Sequence, residues 1–117
     1  MSHRTTRVVV VEDRLSHALI TATRVRQVPG PDGRSAEVIG AMEHRHAVER
    51  ADDLAADGVD VALVDAMRHP DDLRADPGAM AFAGLEVAEA IHRATTECRI
   101  VGYSAHAAAP RVNVVFR

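Results

Sequence analysis

The chain contains no lysine: all 14 of its basic residues are arginine. A lysine can therefore serve neither as a catalytic amine nor as a cation pairing with a bound phosphoryl group. Net positive charge is missing too, since 17 acidic residues leave a formal charge of -3. A segment gripping a nucleic-acid backbone needs a basic face, so direct nucleic-acid binding by this segment is not expected. There is one cysteine, Cys98, which excludes an internal disulfide and fits a reducing compartment. Nothing nearby recommends that thiol as a nucleophile, and a packed or surface residue is the expectation. No apolar run approaches the length needed to span a bilayer, and the polar stretch from Met1 to Arg7 followed by only four valines is too short for a signal peptide. There is no internal repeat, low-complexity tract or heptad pattern, and 117 residues suffice for a single core. These absences predict one soluble, cytoplasmic domain without membrane contact.

What is there begins with apolar runs that stop at acids. Val59-Asp60-Val61-Ala62-Leu63-Val64-Asp65 has no helical period and follows Asp57-Gly58, which suits a strand buried on both faces of a parallel sheet, although periodicity alone leaves a short buried helix open. Val8 to Val11 repeats the pattern and stops at Glu12-Asp13. Ser35 to Ala41 predicts a weaker second strand through Ala36, Val38 and Ile39, and Arg99 to Tyr103 a fourth that ends in Ser104-Ala105. Between them lie helical spacings. Leu15, Ala18, Leu19, Ala22 and Val25 share one face of a first helix. Ala47, Val48, Ala51, Leu54 and Ala55 predict a second, stopped by Gly58. Leu85, Val87, Ala88 and Ile91 predict a third, opened by Gly84. Pro29-Gly30-Pro31-Asp32-Gly33 breaks the chain after the first helix. Arg68 to Ala83 reads as an extended loop, and long loops in small domains are commonly functional or disordered. Residues 110–117 match either a helix or a strand, the helix being the expectation.

Alternating β and α segments predict a doubly wound parallel sheet with right-handed crossovers, in which ligands gather at the carboxyl ends of the strands. Glu12, Asp13, Asp65 and Ser104 would meet there. Carboxylates pressed together repel, and a hard divalent cation such as Mg²⁺ relieves them. A cation so held would neutralise an incoming phosphoryl group, leaving Asp65 as nucleophile and Ser104 to hydrogen-bond a phosphoryl oxygen. Blander readings stand beside these. Glu12-Asp13 could cap the next helix, Ser104 is an ordinary strand-end residue, and Asp71, Asp72 and Asp76 read as a solvated acidic loop. His44 and His46 at i and i+2 do not share a helix face, so both are expected in solvent. His106 is expected at the surface or at the mouth of the site.

The ordered set Val8-Val9-Val10-Val11-Glu12-Asp13, Val59 to Asp65 with Met67 two places on, Gly84-Leu85-Glu86-Val87-Ala88, and Arg99-Ile100-Val101-Gly102-Tyr103-Ser104-Ala105 resembles the receiver domains of bacterial two-component response regulators, over nearly the whole chain. The resemblance implies a flavodoxin-like fold of strand order 2-1-3-4-5 and a non-enzymatic phosphoacceptor. Asp65 would take a phosphoryl group from a sensor histidine kinase. Glu12, Asp13, the Asp65 side chain and the Met67 carbonyl would hold Mg²⁺, and Ser104 would be the switch hydroxyl. The output would be a change in dimerisation or in an effector domain, in transcription regulation, with any DNA contact made through that effector. Two departures mark this chain: the lysine that the family carries at the end of its fifth strand has no counterpart, and Asp65 to Gly84 spans nineteen positions, longer than the family's usual loop. A receiver incomplete at its C-terminus, its fourth strand an open edge suited to pairing between chains, is the corresponding expectation. The competing reading is a receiver-like dimerisation or ligand-binding module that never carries phosphate. A hydrolytic enzyme built on Asp65 is weaker, because Asp65-Ala66-Met67 lacks a second aspartate two residues on and no Gly-rich phosphate loop follows the first strand.

Overall fold

Four runs of β-branched and small apolar residues pair side by side, all in the same direction, in the computed structural model, which describes residues 5–30, 33–66 and 83–103. The elements are β1 (Arg7–Glu12), α1 (Leu15–Gln27), β2 (Glu37–Glu43), α2 (His44–Glu49), α3 (Ala51–Ala56), β3 (Val61–Asp65), α4 (Ala83–Ala94) and β4 (Arg99–Tyr103). The sheet order is β2-β1-β3-β4, so the predicted α/β class, parallel sheet and order 2-1-3-4 are all present. A fifth strand, the helix expected over residues 110–117 and most of the Arg68 to Ala83 loop fall outside the described residues, as do Met67, Ser104 and His106.

The valines of β1 show why this strand sits in the centre. Val9, Val10 and Val11 have no exposed surface and Val8 almost none, so both faces of the strand are covered, as an unbroken apolar run requires. Val8 and Val10 pack with Ala18 and Ala22 of α1 on one face. Val9 and Val11 pack on the other with Val64, Leu54, Val87 and Ile91, beneath α2, α3 and α4. Each fully buried valine contributes roughly 1.5–3 kcal/mol relative to exposure. The register against β2 shifts between Val8 and Val9, where Ile39 is the extra residue, a bulge of the kind that re-aims a strand.

Three boundaries differ from the sequence reading. The second strand starts and ends two residues later than Ser35 to Ala41, since pairing with β1 extends it to Glu43 opposite Glu12. The second helix is two, α2 and α3, divided at Arg50, whose backbone (φ -102°, ψ 10°) leaves the helical region. On α1 the buried stripe is Ala18 and Ala22, while Leu15 and Leu19, expected inward, stay about half exposed. Small residues let the helix lie close on the sheet, and the leucines flank that contact line. Gly58 ends α3 as predicted. Its φ of +75° lets the Gly58 N–H reach the Ala55 carbonyl and the Val59 N–H the Leu54 carbonyl, each at 3.1 Å, which satisfies carbonyls the helix end would otherwise orphan.

At the opposite end from the acids, Asp60 ties the strands together. Its side chain accepts from the Arg7 backbone N–H at 2.8 Å, its N–H donates to the Arg7 carbonyl and its carbonyl accepts from Arg99 N–H, each at 2.9 Å. One residue before β3 thus aligns the starts of β1 and β4, which sets where their carboxyl ends finish.

Candidate functional site: a buried acid cluster at the strand ends

Three carboxylates lie buried where β1 and β3 end. Asp65 has no exposed surface, Glu12 is 4% exposed and Asp13 is 8% exposed. The strand pattern explains two of them. Side chains alternate along a strand, and Val8 and Val10 face α1, so Glu12 leaves the sheet on that same face. Leu63 also belongs to the α1 face, and Asp65 follows it by two.

Glu12 is held by hydroxyls. Thr21 Oγ1 of α1 donates to Glu12 Oε1 at 3.1 Å, and the Tyr103 hydroxyl donates to the same oxygen. Tyr103 stands opposite Asp65 in the β3–β4 ladder, two strands from Glu12, so its ring spans about 10 Å of sheet in the hydrogen-bonding direction. Burial, the Glu12 carboxylate that accepts from it and the nearby Asp65 charge hold the Tyr103 phenol protonated well above the usual tyrosine range. Tyr103 was singled out by no sequence motif. Its position two strands from its acceptor in the ladder is the only signal, and that needs the register.

Asp13 has fewer partners. Its Oδ1 accepts from His17 Nδ1 at 3.3 Å, and its Oδ2 is buried with no hydrogen-bond partner among the described residues. The capping alternative does not hold, because α1 begins at Leu15 with Arg14 as its N-cap and no side-chain cap bond. Among the described residues, Glu12, Asp13 and His17 offer ligand atoms that all lie within 4.8 Å of one another. Asp65 stands at the adjoining strand end, outside that group. A carboxylate oxygen buried without a donor is costly unless something positive meets it, so the donor set Glu12 and Asp13 fits a divalent cation. Mg²⁺ would find hard oxygen ligands there. Of the expected set, Glu12, Asp13 and Asp65 are therefore gathered at one end of the sheet, while Met67 and Ser104 lie outside the described residues.

His44 corrects the sequence reading. It was expected in solvent, yet it is 7% exposed, and its Nε2 donates to the Asp65 backbone carbonyl at 2.6 Å. A carbonyl only accepts, so Nε2 carries the hydrogen. The first residue of α2 thereby fixes the end of β3, across 21 residues of chain. His46 is exposed, as expected. Beside His44 opens a cleft of about 510 Å³, lined by Asp13, Arg14, Arg45 and Glu86 among others. Its walls carry charges of both signs, which suits a small hydrated or ionic ligand better than an apolar one. The backbone continues the same cluster: Ala66 N–H donates to the Tyr103 carbonyl at 2.7 Å and Gly84 N–H to the Ala66 carbonyl at 3.1 Å, tying β3, β4 and the start of α4 together immediately beyond Asp65.

Cys98, buried, stands at the other end of β4. Burial pushes its thiol up from the usual range, which agrees with a packed residue rather than a reactive one. No described helix is long and apolar enough to cross a membrane.

No family model, curated protein or solved structure matches this chain. The described residues form an all-parallel, four-stranded α/β domain with a buried acid cluster at its strand ends.

Proposed function

We propose that this chain is a phosphoacceptor receiver module on a flavodoxin-like sheet of order 2-1-3-4, with a fifth strand position next to β4, and that Asp65 takes a phosphoryl group from the phosphohistidine of a sensor kinase. The observation that carries the reading is the gathering of three buried carboxylates, Glu12, Asp13 and Asp65, at the carboxyl ends of two adjacent parallel strands. In the transfer, an Asp65 carboxylate oxygen forms a bond to phosphorus and the phosphorus–nitrogen bond of the donor breaks. The departing imidazole takes up a proton from solvent. Glu12 and Asp13, with Asp65 and the Met67 carbonyl, would hold Mg²⁺, whose charge offsets that of the phosphoryl oxygens. His44 keeps the end of β3, and with it the Asp65 backbone, in place. The cytoplasm is the compartment of this reading. Phosphorylation replaces the single negative charge of the Asp65 carboxylate with a phosphoryl group carrying about -1.5 to -2; Ser104 would answer it, and the change would bias a homodimer or an effector, with DNA contact through the latter.

A second reading has its own support. Asp65 is wholly buried, Tyr103 already occupies Glu12, and no lysine exists to pair with a phosphoryl group. These favour a receiver-like module that works through dimerisation or ligand binding without phosphate. Intact mass after incubation with acetyl phosphate and Mg²⁺ separates the two. One added phosphoryl group, lost without Mg²⁺ and in Asp65→Asn, is the expected result for the receiver. Full labelling of Asp65→Asn, or no adduct on the parent, refutes it.

A further inference from the structure

We infer that Glu12, Asp13 and His17 form a site for a borderline divalent transition ion of the Zn²⁺ type, with His17 supplying the ligand that distinguishes such an ion from Mg²⁺. The inference rests on the reading that Glu12 and Asp13 hold a cation and adds a second class of cation competing for them. Three observations meet at this point. The ligand atoms of the three residues lie within 4.8 Å of one another. Ligands around one ion at bond lengths of about 2.0–2.2 Å are separated by about 3–4 Å, so a small closure suffices, and the side chain of His17, 50% exposed, is free to make it. Secondly, Asp13, its side chain only 2% exposed, has a buried Oδ2 with no hydrogen-bond partner among the described residues; its one bond is to His17, within the group itself. Thirdly, the donor set is mixed. Carboxylates and water suit Mg²⁺, whereas an imidazole nitrogen suits Zn²⁺ and its neighbours. His17 lies in the first turn of α1, and its Nδ1 comes within 3.3 Å of Asp13 Oδ1 just before that helix.

The site also has a built-in reporter. Tyr103 is the only tyrosine of a chain without tryptophan, and its hydroxyl donates to Glu12. An ion that draws Glu12 into its coordination shell must alter that bond, so tyrosine emission is expected to respond to loading at this site.

The test is calorimetric titration of the whole chain with Zn²⁺ and, separately, Mg²⁺ near neutral pH, with tyrosine emission followed in parallel, on the parent, His17→Asn and Asp13→Asn. Circular dichroism checks that each variant is folded. In His17→Asn, Zn²⁺ affinity is expected to fall at least about tenfold, the loss that removing even an outer-shell partner brings, with Mg²⁺ affinity unchanged. In Asp13→Asn both cations should bind more weakly. Zn²⁺ binding equally well to parent and His17→Asn, or insensitive to Asp13→Asn, overturns the inference. If Mg²⁺ then still depends on Asp13 and supports labelling of Asp65, the receiver reading stands without it.

Discussion

Tyr103→Phe removes one oxygen and nothing else, and so isolates the bond that crosses two strands to Glu12. The acceptor is a buried carboxylate, and hydrogen bonds to charged groups contribute about 1.5–3 kcal/mol. Glu12 keeps its bond from Thr21, so the variant should lose about 2 kcal/mol, in the lower half of that range. For a domain of this size each kcal/mol shifts the melting temperature by about 3–6 °C, which gives a fall of about 6–12 °C. Urea unfolding read by far-UV circular dichroism is the assay, because the substitution deletes the only intrinsic fluorophore. The cycle is completed with Glu12→Gln, which keeps an acceptor oxygen but removes the charge. In that background Tyr103→Phe should cost only the neutral-bond value of about 0.5–1.5 kcal/mol, leaving a coupling of about 1 kcal/mol. A Tyr103→Phe variant within about 0.5 kcal/mol of the parent, or strict additivity of the two substitutions, would show that the charged pair does not form and would refute the reasoning.

The same residue predicts a pH dependence. The folded state holds Tyr103 protonated above the usual range, chiefly through burial and then through Glu12, so its contribution is fully present below about pH 10, the unfolded tyrosine value, and is lost as pH rises beyond it. Absorbance of tyrosinate near 295 nm should therefore appear together with loss of the circular dichroism signal; a reversible titration near pH 10 in a folded chain would contradict the buried phenol. At the other end of the site, His44→Ala should destabilise by about 2–3 kcal/mol, since it removes a buried side chain and its bond to the Asp65 carbonyl. His46→Ala, at an exposed position, should stay within about 0.5 kcal/mol, and equal costs at the two positions would count against the His44 bond.

Among the described residues, β4 pairs only with β3, and Val101 on it is 37% exposed. Among the described residues, the half-exposed Leu15 and Leu19 of α1 and Val101 of β4 are apolar side chains that the core leaves in part uncovered.

The strands were legible because each is encoded locally. Val8 to Val11 and Val61 to Val64 are apolar without interruption, a pattern that suits a strand covered on both faces, and alternation with helices then implies a parallel sheet. Glu12, Asp13 and Asp65 were legible as a group for the same reason, since the ends of parallel strands coincide in space. Gly58 was legible because a helix end needs the left-handed backbone that glycine adopts without strain.

What the tertiary structure alone decided are contacts between residues far apart in the chain. Tyr103 and Glu12 are 91 positions apart and His44 and Asp65 are 21 apart; no local period records either pairing. His44 also sits next to exposed residues at the head of a short helix, so its sequence context argues for solvent, while the end of β3 offers its ring a buried carbonyl. Leu15 and Leu19 share a helical face with Ala18 and Ala22, but the line of closest approach to the sheet decided which pair was buried. Local pattern determined where strands, helices and acids lie along the chain. Register and packing decided which hydroxyl, which histidine and which carboxylate meet, because those choices depend on distances across the sheet that sequence spacing does not encode.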